Sequence, residues 1–243
     1  MRSVEVRKAI NAADVAKQAA EEIVETLKSV LQSKEEAHVA LTGGTVGILT
    51  LEVMSKSLDI NQIDFSKVHF WWGDERYVSS DSMDRNSKQA RDAFLSSIPV
   101  PESNIHEFPS TDSGLDLEEA RSRFEESLLV AFAGEKPGMD LTILGMGPDG
   151  HVASLFPGVT HPASLVVAVH DSPKPPAQRL SFNMDVINNS AKVLFVVSGI
   201  DKAEAVEAVH KTPECELPAA QVEANGSTLW IIDEAAGASF WSC

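Results

Sequence analysis

The string Gly145-Met146-Gly147-Pro148-Asp149-Gly150-His151 places an imidazole in a glycine-rich loop, two residues after a carboxylate. A histidine there is near-neutral at pH 7 and suited to take a proton from water. Asp149 can orient the ring or bind a substrate. Thr42-Gly43-Gly44-Thr45 is a second candidate. A glycine pair lets backbone amides approach an anion, and a following helix N-terminus adds a favourable field. The same string also suits a tight turn with glycine for geometry. Gly73-Asp74-Glu75-Arg76 sets two carboxylates beside a guanidinium. That group could grip sugar hydroxyls and a developing negative charge, or form a local salt bridge on a solvated loop. Arg179 follows a proline-rich stretch, and Lys202 falls in the first turn of an expected helix. A lysine at a helix N-terminus opposes the dipole. Its place makes sense if a dianionic phosphate sits between it and Arg179, and otherwise it is an ordinary solvated lysine.

One resemblance within these strings misleads. Gly145-Met146-Gly147-Pro148-Asp149-Gly150 matches G-x-G-x-x-G after a strand, and Asp171 follows at about 20 residues, as a dinucleotide fingerprint requires. That fingerprint needs a long helix from the third glycine. Pro157, Gly158 and Pro162 leave room for only a turn or two. Other chemistry is excluded by absence. There is no G-x-S-x-G elbow, no H-E-x-x-H and no Cys/His ligand spacing. No metal and no cofactor are expected. His38 and His69 lie within strand-like runs, and His170 closes one. His106, His161 and His210 sit near element ends or in loops. What remains is acid–base chemistry on a small, phosphorylated molecule.

These side chains must be positioned by alternating strands and helices. Val15, Ala19, Ile23, Leu27 and Val30 recur at helical spacing, predicting a helix over 11–32 with Asn11 as its N-cap. Further helices are expected at 48–54, 86–95, 115–132 and 201–210. Apolar runs predict strands at 38–41, 68–72, 139–144, 165–169, 179–183, 193–197 and 228–232. Residues 172–178, Ser-Pro-Lys-Pro-Pro-Ala-Gln, must be a loop. Such alternation predicts an α/β fold with a mainly parallel sheet covered on both faces, as a single domain over 1–243. Ligands bind such sheets beyond the carboxyl ends of the strands. The polar strings all fall at strand ends and should therefore meet at one edge.

Composition bounds the partners. The chain has 20 Lys+Arg against 36 Asp+Glu, a formal charge of −16. This argues against nucleic acid, which wants a basic stripe, and against an anionic membrane surface. The 43% hydrophobic content is enough for a large core. The apolar runs are far shorter than the roughly 20 residues that span a bilayer. No signal-peptide h-region is present at the N-terminus. Cys215 and Cys243 are too few for a disulfide framework and fit a reducing compartment. The expectation is a cytoplasmic protein.

Three strings together are family-specific. They are Trp72-Gly73-Asp74-Glu75-Arg76-Tyr77-Val78, Asp84-Arg85-Asn86-Ser87-Lys88-Gln89-Ala90-Arg91, and the stretch from Asp140 through Gly150-His151-Val152-Ala153-Ser154-Leu155-Phe156-Pro157-Gly158. With Thr42-Gly43-Gly44-Thr45 and Ser198-Gly199 before Lys202-Ala203 in matching order, the chain resembles the glucosamine-6-phosphate isomerase/6-phosphogluconolactonase family, on its lactonase side. The resemblance implies a three-layer α/β/α fold with a Rossmann-like sheet. It implies hydrolysis of 6-phospho-D-glucono-1,5-lactone in the oxidative pentose phosphate pathway, by a monomer or weak homo-oligomer. Carried over by position, His151 would be the general base, and Asp74 and Arg76 would contact the substrate near the lactone. Gly43, Gly44, Thr45, Arg179 and Lys202 would hold the phosphate, with Asp149 and Gly150 also at the substrate. Deaminases of this fold read Gly-His-Ile-Ala-Phe-Asn-Glu-Pro after the catalytic loop, and this chain lacks that Glu-Pro. Many members read Gly-Gly-Ser-Thr-Pro in the first loop. Here Gly44 is followed by Thr45-Val46-Gly47, without the helix-starting proline.

Overall fold

A computed structural model describes residues 3–212 and 214–241. In chain order the elements are β1 (Ser3–Ala9), α1 (Ala12–Ser33), β2 (Ala37–Leu41), α2 (Gly44–Lys56), β3 (Val68–Trp72), β4 (Asp74–Arg76), α3 (Asn86–Ala93) and α4 (Leu117–Ala131). They continue with β5 (Leu141–Leu144), β6 (Val166–Val169), β7 (Arg179–Phe182), α5 (Met184–Asn188), β8 (Lys192–Val197), α6 (Ala203–Lys211), β9 (Ser227–Asp233) and α7 (Ala238–Trp241). Helix α1 starts where the sequence predicts. The Asn11 side chain accepts from the Asp14 amide, and Val15, Ala19, Ile23 and Leu27 line the buried face. The capping box of α4 works the same way, with Asp116 and Glu119 each accepting from the other's amide.

Six strands form one parallel sheet in the order β1-β9-β8-β5-β2-β3, within a three-layer α/β/α arrangement. Its central strands read as continuous apolar runs because both faces are covered. All four residues of β5 are buried, and the Thr142 hydroxyl is satisfied by Ser190 at 2.8 Å. From β2 the chain moves to β3 on one side, and later returns to β5 on the other. The connections leaving β2 and β5 therefore diverge, and a crevice opens beyond their carboxyl ends.

Two expectations need correction. Residues 165–169 and 179–183 do not extend the parallel sheet. They form β6 and β7 of a separate antiparallel sheet, ordered β4-β7-β6. Its third strand, β4, is Asp74–Arg76, read from the sequence as a loop because three charged residues carry no apolar run. Gly73 joins the two sheets: its amide donates to Leu41 of β2, and its carbonyl accepts from Phe182 of β7. Strand β1 carries no apolar run either and went unpredicted. It alternates Val with charged residues at the sheet edge, where one side needs no apolar partner. Helix α5 also went unpredicted. The expected helix at 201–210 begins only at Ala203, after a 3₁₀ turn over Ile200–Lys202. Residues 145–165 contain no helix, which removes the element a dinucleotide site would need.

Candidate active site

A cleft of about 160 Å³ lies at the divergence of β2 and β5. The loop after β2 contributes Gly43 and Gly44, and the loop after β5 contributes Gly147 and His151. Strand β4 contributes Asp74 and Arg76, β7 contributes Arg179, and the turn after β8 contributes Lys202. Thr45 lines an adjoining cavity of about 350 Å³ together with Gly43, Gly44 and Lys202. The two expected groups at the edge of the sheet thus meet side chains from the small antiparallel sheet. Asp149 acts from behind His151 rather than from the cleft lining. Gly150 is buried under Leu217 and lines no part of the cleft. Its φ of +79° makes the turn that brings His151 back toward β5.

His151 Nδ1 bonds Asp149 Oδ1 at 2.5 Å, and the Phe156 ring packs against the imidazole at 4.7 Å between centroids. Burial pushes the His151 pKa below its usual value, with Asp149 opposing. Burial pulls the Asp149 carboxyl upward, but the hydrogen bond and charge of His151 outweigh it and hold it low. Asp149 is therefore an ionised acceptor, and a neutral His151 must carry its proton on Nδ1. This leaves a lone pair on Nε2, which has no protein partner among the described residues. Gly147 permits the pair. A Cβ on it would stand 2.0 Å from His151 Nδ1 and 2.5 Å from Asp149 Oδ1. The glycine spacing that mimics a nucleotide motif thus makes room for the histidine and its carboxylate.

Asp74 is 7% exposed and held from three sides. Ser154 Oγ donates to its Oδ2 at 2.6 Å, Arg179 Nη1 lies 3.9 Å from the same oxygen, and Asn86 Nδ2 donates to its backbone carbonyl at 2.9 Å. Arg179 is itself buried and donates to the Pro176 and Lys174 carbonyls. Burial pushes its guanidinium down from the ordinary range, while Asp74 opposes and Arg76 adds to the fall. Arg76 donates through Nη1 to the Asp84 carbonyl, and its buried Nε has no partner. Lys202 pairs with Asp201 at 3.0 Å and is 18% exposed. The turn before it is pinned by Asp233, which accepts from Ser198 Oγ and the Gly199 amide.

Glu75, paired with Asp74 in the sequence reading, turns away from the cleft. Its two oxygens accept from the Arg76, Asn86 and Ser87 amides, so it caps α3 from outside that helix. Burial pushes its carboxyl up, and the neighbouring Arg85 pulls it down. Sequence reasoning missed three residues of the site, Asn86 and Lys174 in the cleft lining and Ser154 buried behind Asp74. Asn86 presses so close to Gly43 that a Cβ there would meet its Oδ1 at 1.8 Å. Ser154 is hidden in an apolar-looking string. Lys174 sits in the proline-rich stretch, which predicts a loop and nothing more.

Among the described residues, no group of three His, Cys, Asp or Glu side chains is placed to hold a metal ion. No helix there is long and apolar enough to cross a membrane. Cys215 is a free, half-buried thiol, and Cys243 lies outside the described residues.

Comparisons with known proteins agree in direction. The family model described as glucosamine-6-phosphate isomerases/6-phosphogluconolactonase matches residues 10–230. A protein of Mycobacterium leprae named 6-phosphogluconolactonase is 41% identical over 90% of this chain and 92% of its own length. One of Streptomyces coelicolor with the same name is 36% identical over 91% and 89%. The crystal structure of 6-phosphogluconolactonase from Thermotoga maritima superposes with a TM-score of 0.83 at 27% identity, covering 95% of this chain and all of that one.

Proposed function

The chain belongs to the glucosamine-6-phosphate isomerase/6-phosphogluconolactonase family, and from that footing we propose that it hydrolyses 6-phospho-D-glucono-1,5-lactone to 6-phosphogluconate in the pentose phosphate pathway, with His151 as general base. One observation carries the reading. His151 is tethered through Nδ1 to Asp149, and its other nitrogen is open to a cleft lined by Arg76, Arg179 and Lys202.

A lactone is an activated ester, so water and one base can open it without a covalent enzyme intermediate. His151 Nε2 takes a proton from water as the oxygen bonds to the lactone carbonyl carbon. The carbonyl oxygen becomes an oxyanion. The ring C–O bond then breaks, and the imidazolium returns its proton to the departing ring oxygen. Asp149 steadies the transient positive charge. General base catalysis of this kind supplies about 10²–10⁴-fold. Arg76, which lines the cleft beside Asp74 and His151, faces the oxyanion. A well-placed donor there is worth about 2.7–4 kcal/mol. Asp74, fixed by Ser154, positions sugar hydroxyls. Arg179, Lys202 and the Gly43-Gly44-Thr45 turn at the start of α2 hold the phosphate. Binding energy at that remote group fixes the ring for attack.

The decisive assay follows lactone hydrolysis by purified protein with chelator present, beside ammonia release from glucosamine-6-phosphate. Lactone turnover well above the spontaneous rate, without ammonia release, is the expected result. Turnover at the spontaneous rate, or ammonia release, overturns the reading. Lys202→Ala is expected to raise KM for the phosphorylated lactone more than for unphosphorylated gluconolactone. An equal effect on both would remove Lys202 from the phosphate site.

A further inference from the structure

We propose that Lys174 is a specificity-determining residue of this cleft, an additional cation that grips the substrate phosphate from the proline-rich loop over the mouth. The inference rests on the lactonase reading above and adds a residue that the reading does not use.

The cleft cations differ in what already occupies their donors. Arg179 is committed to Asp74 and two carbonyls, Arg76 to Asp84, and Lys202 to Asp201. Lys174 Nζ has no hydrogen bond or ion pair to any described residue, and its side chain lines the cleft. All three of its N–H donors are therefore available to an anion.

Its backbone, by contrast, is fixed. The Lys174 amide and carbonyl both bond the Ser172 hydroxyl, at 3.4 and 3.0 Å, and the carbonyl also accepts from buried Arg179 Nη2 at 3.1 Å. The Ser172 amide closes the loop onto the Ala177 carbonyl at 2.9 Å. Pro173, Pro175 and Pro176 flank the lysine and restrict φ on both sides. The anchored loop fixes where the side chain leaves the backbone, so only the flexible four-carbon stem has to order when an anion binds. The loop also links two side chains proposed to bind the phosphate, since Arg179 supports the backbone from which Lys174 reaches out.

The charge of Lys174 is felt on both sides of the cleft that it lines. Burial is the chief cause of His151's low basicity and Asp149 opposes it; the charge of Lys174 adds to the lowering. Asp201 is held low chiefly by its bond from Lys202, and Lys174 adds there too. One ammonium thus acts on His151 on one side of the cleft and on Asp201, beside Lys202, on the other.

The test compares wild type, Lys174→Met and Lys174→Arg on phosphorylated and unphosphorylated lactone, across pH. Lys174→Met is expected to raise KM for 6-phosphogluconolactone about 10–100-fold, the usual value of a charge-assisted bond. Activity on gluconolactone should stay within about two-fold when compared at a pH above the acid limb of both proteins. The acid limb of kcat/KM should move to higher pH, because a positive charge near His151 is gone. Lys174→Arg should restore most of the affinity. Equal loss on both lactones, or an unchanged KM and acid limb in Lys174→Met, overturns the proposal. If wild type fails to turn over the phosphorylated lactone at all, it is the lactonase reading that fails.

Discussion

The two ends of the parallel sheet both carry histidines, and they treat them oppositely. At the amino ends of β2 and β3, His38 and His69 are register partners and stack at 4.8 Å. Trp71 Nε1 donates to His38 Nδ1 at 3.1 Å, and His69 Nδ1 is hydrogen-bonded to His106 Nε2 at 2.9 Å. His106 lies flat on Trp71 at 3.9 Å. Asp140 closes the group, accepting from the His38 amide and from Lys34. At the carboxyl ends, His151 has one nitrogen tethered and the other open to the cleft. If His151 is the general base as proposed, burial alone does not mark a reactive histidine. What marks it is an unspent nitrogen facing space that a ligand can fill.

His151→Asn is the harshest test of that contrast. It should cost about 10²–10⁴-fold in kcat with little change in Tm, measured on the phosphorylated lactone beside thermal unfolding. Asp149→Asn should cost less, about 10–100-fold, the value of a charge-assisted bond. It should also move the acid limb of kcat/KM to lower pH, since Asp149 supports the His151 charge. A pH profile of the variant distinguishes this from simple misfolding.

The opposite end should answer in stability instead. His38→Ala removes the acceptor for buried Trp71 Nε1 and should cost about 1–3 kcal/mol of unfolding free energy, with kcat per folded molecule unchanged. A drop in kcat of ten-fold would mean the two ends are coupled. A last contrast concerns acid. Burial lowers His38 and His106 to about 4, with the neighbouring histidine charges adding. Their folded values lie below the unfolded value of roughly 6.5, so the unfolded chain binds protons more readily as pH falls. The stability they contribute is complete above pH 6.5 and declines toward pH 4. A Tm series over that window should show the decline, and it should be shallower in His106→Gln.

The sheet was legible where its strands are covered on both faces. β3 needed only its apolar run, Val68–Trp72, and α1 needed only Asn11 and the spacing from Val15 to Leu27. β1 and β4 were not legible, because an edge strand and a three-residue strand of charged residues carry no run to detect. His151, Gly43 and Lys202 could be placed in one cleft from sequence, since each follows a strand of the same parallel sheet. Glu75 could not be separated from Asp74, because successive residues of a strand point to opposite faces and that strand went unseen. Lys174 was hidden by its neighbours. Proline-rich composition announces a loop and says nothing of which cavity it overhangs.

Gly147 bears on how this scaffold could be re-engineered. With His151 Nδ1 2.0 Å from where its Cβ would be, a saturation library at that codon should return a single functional letter. A designer wishing to exchange the sugar substrate for a nucleotide would find the inherited glycine triplet unhelpful. Its middle member is already occupied from the side, and any retooling that keeps the histidine must begin elsewhere along the crevice.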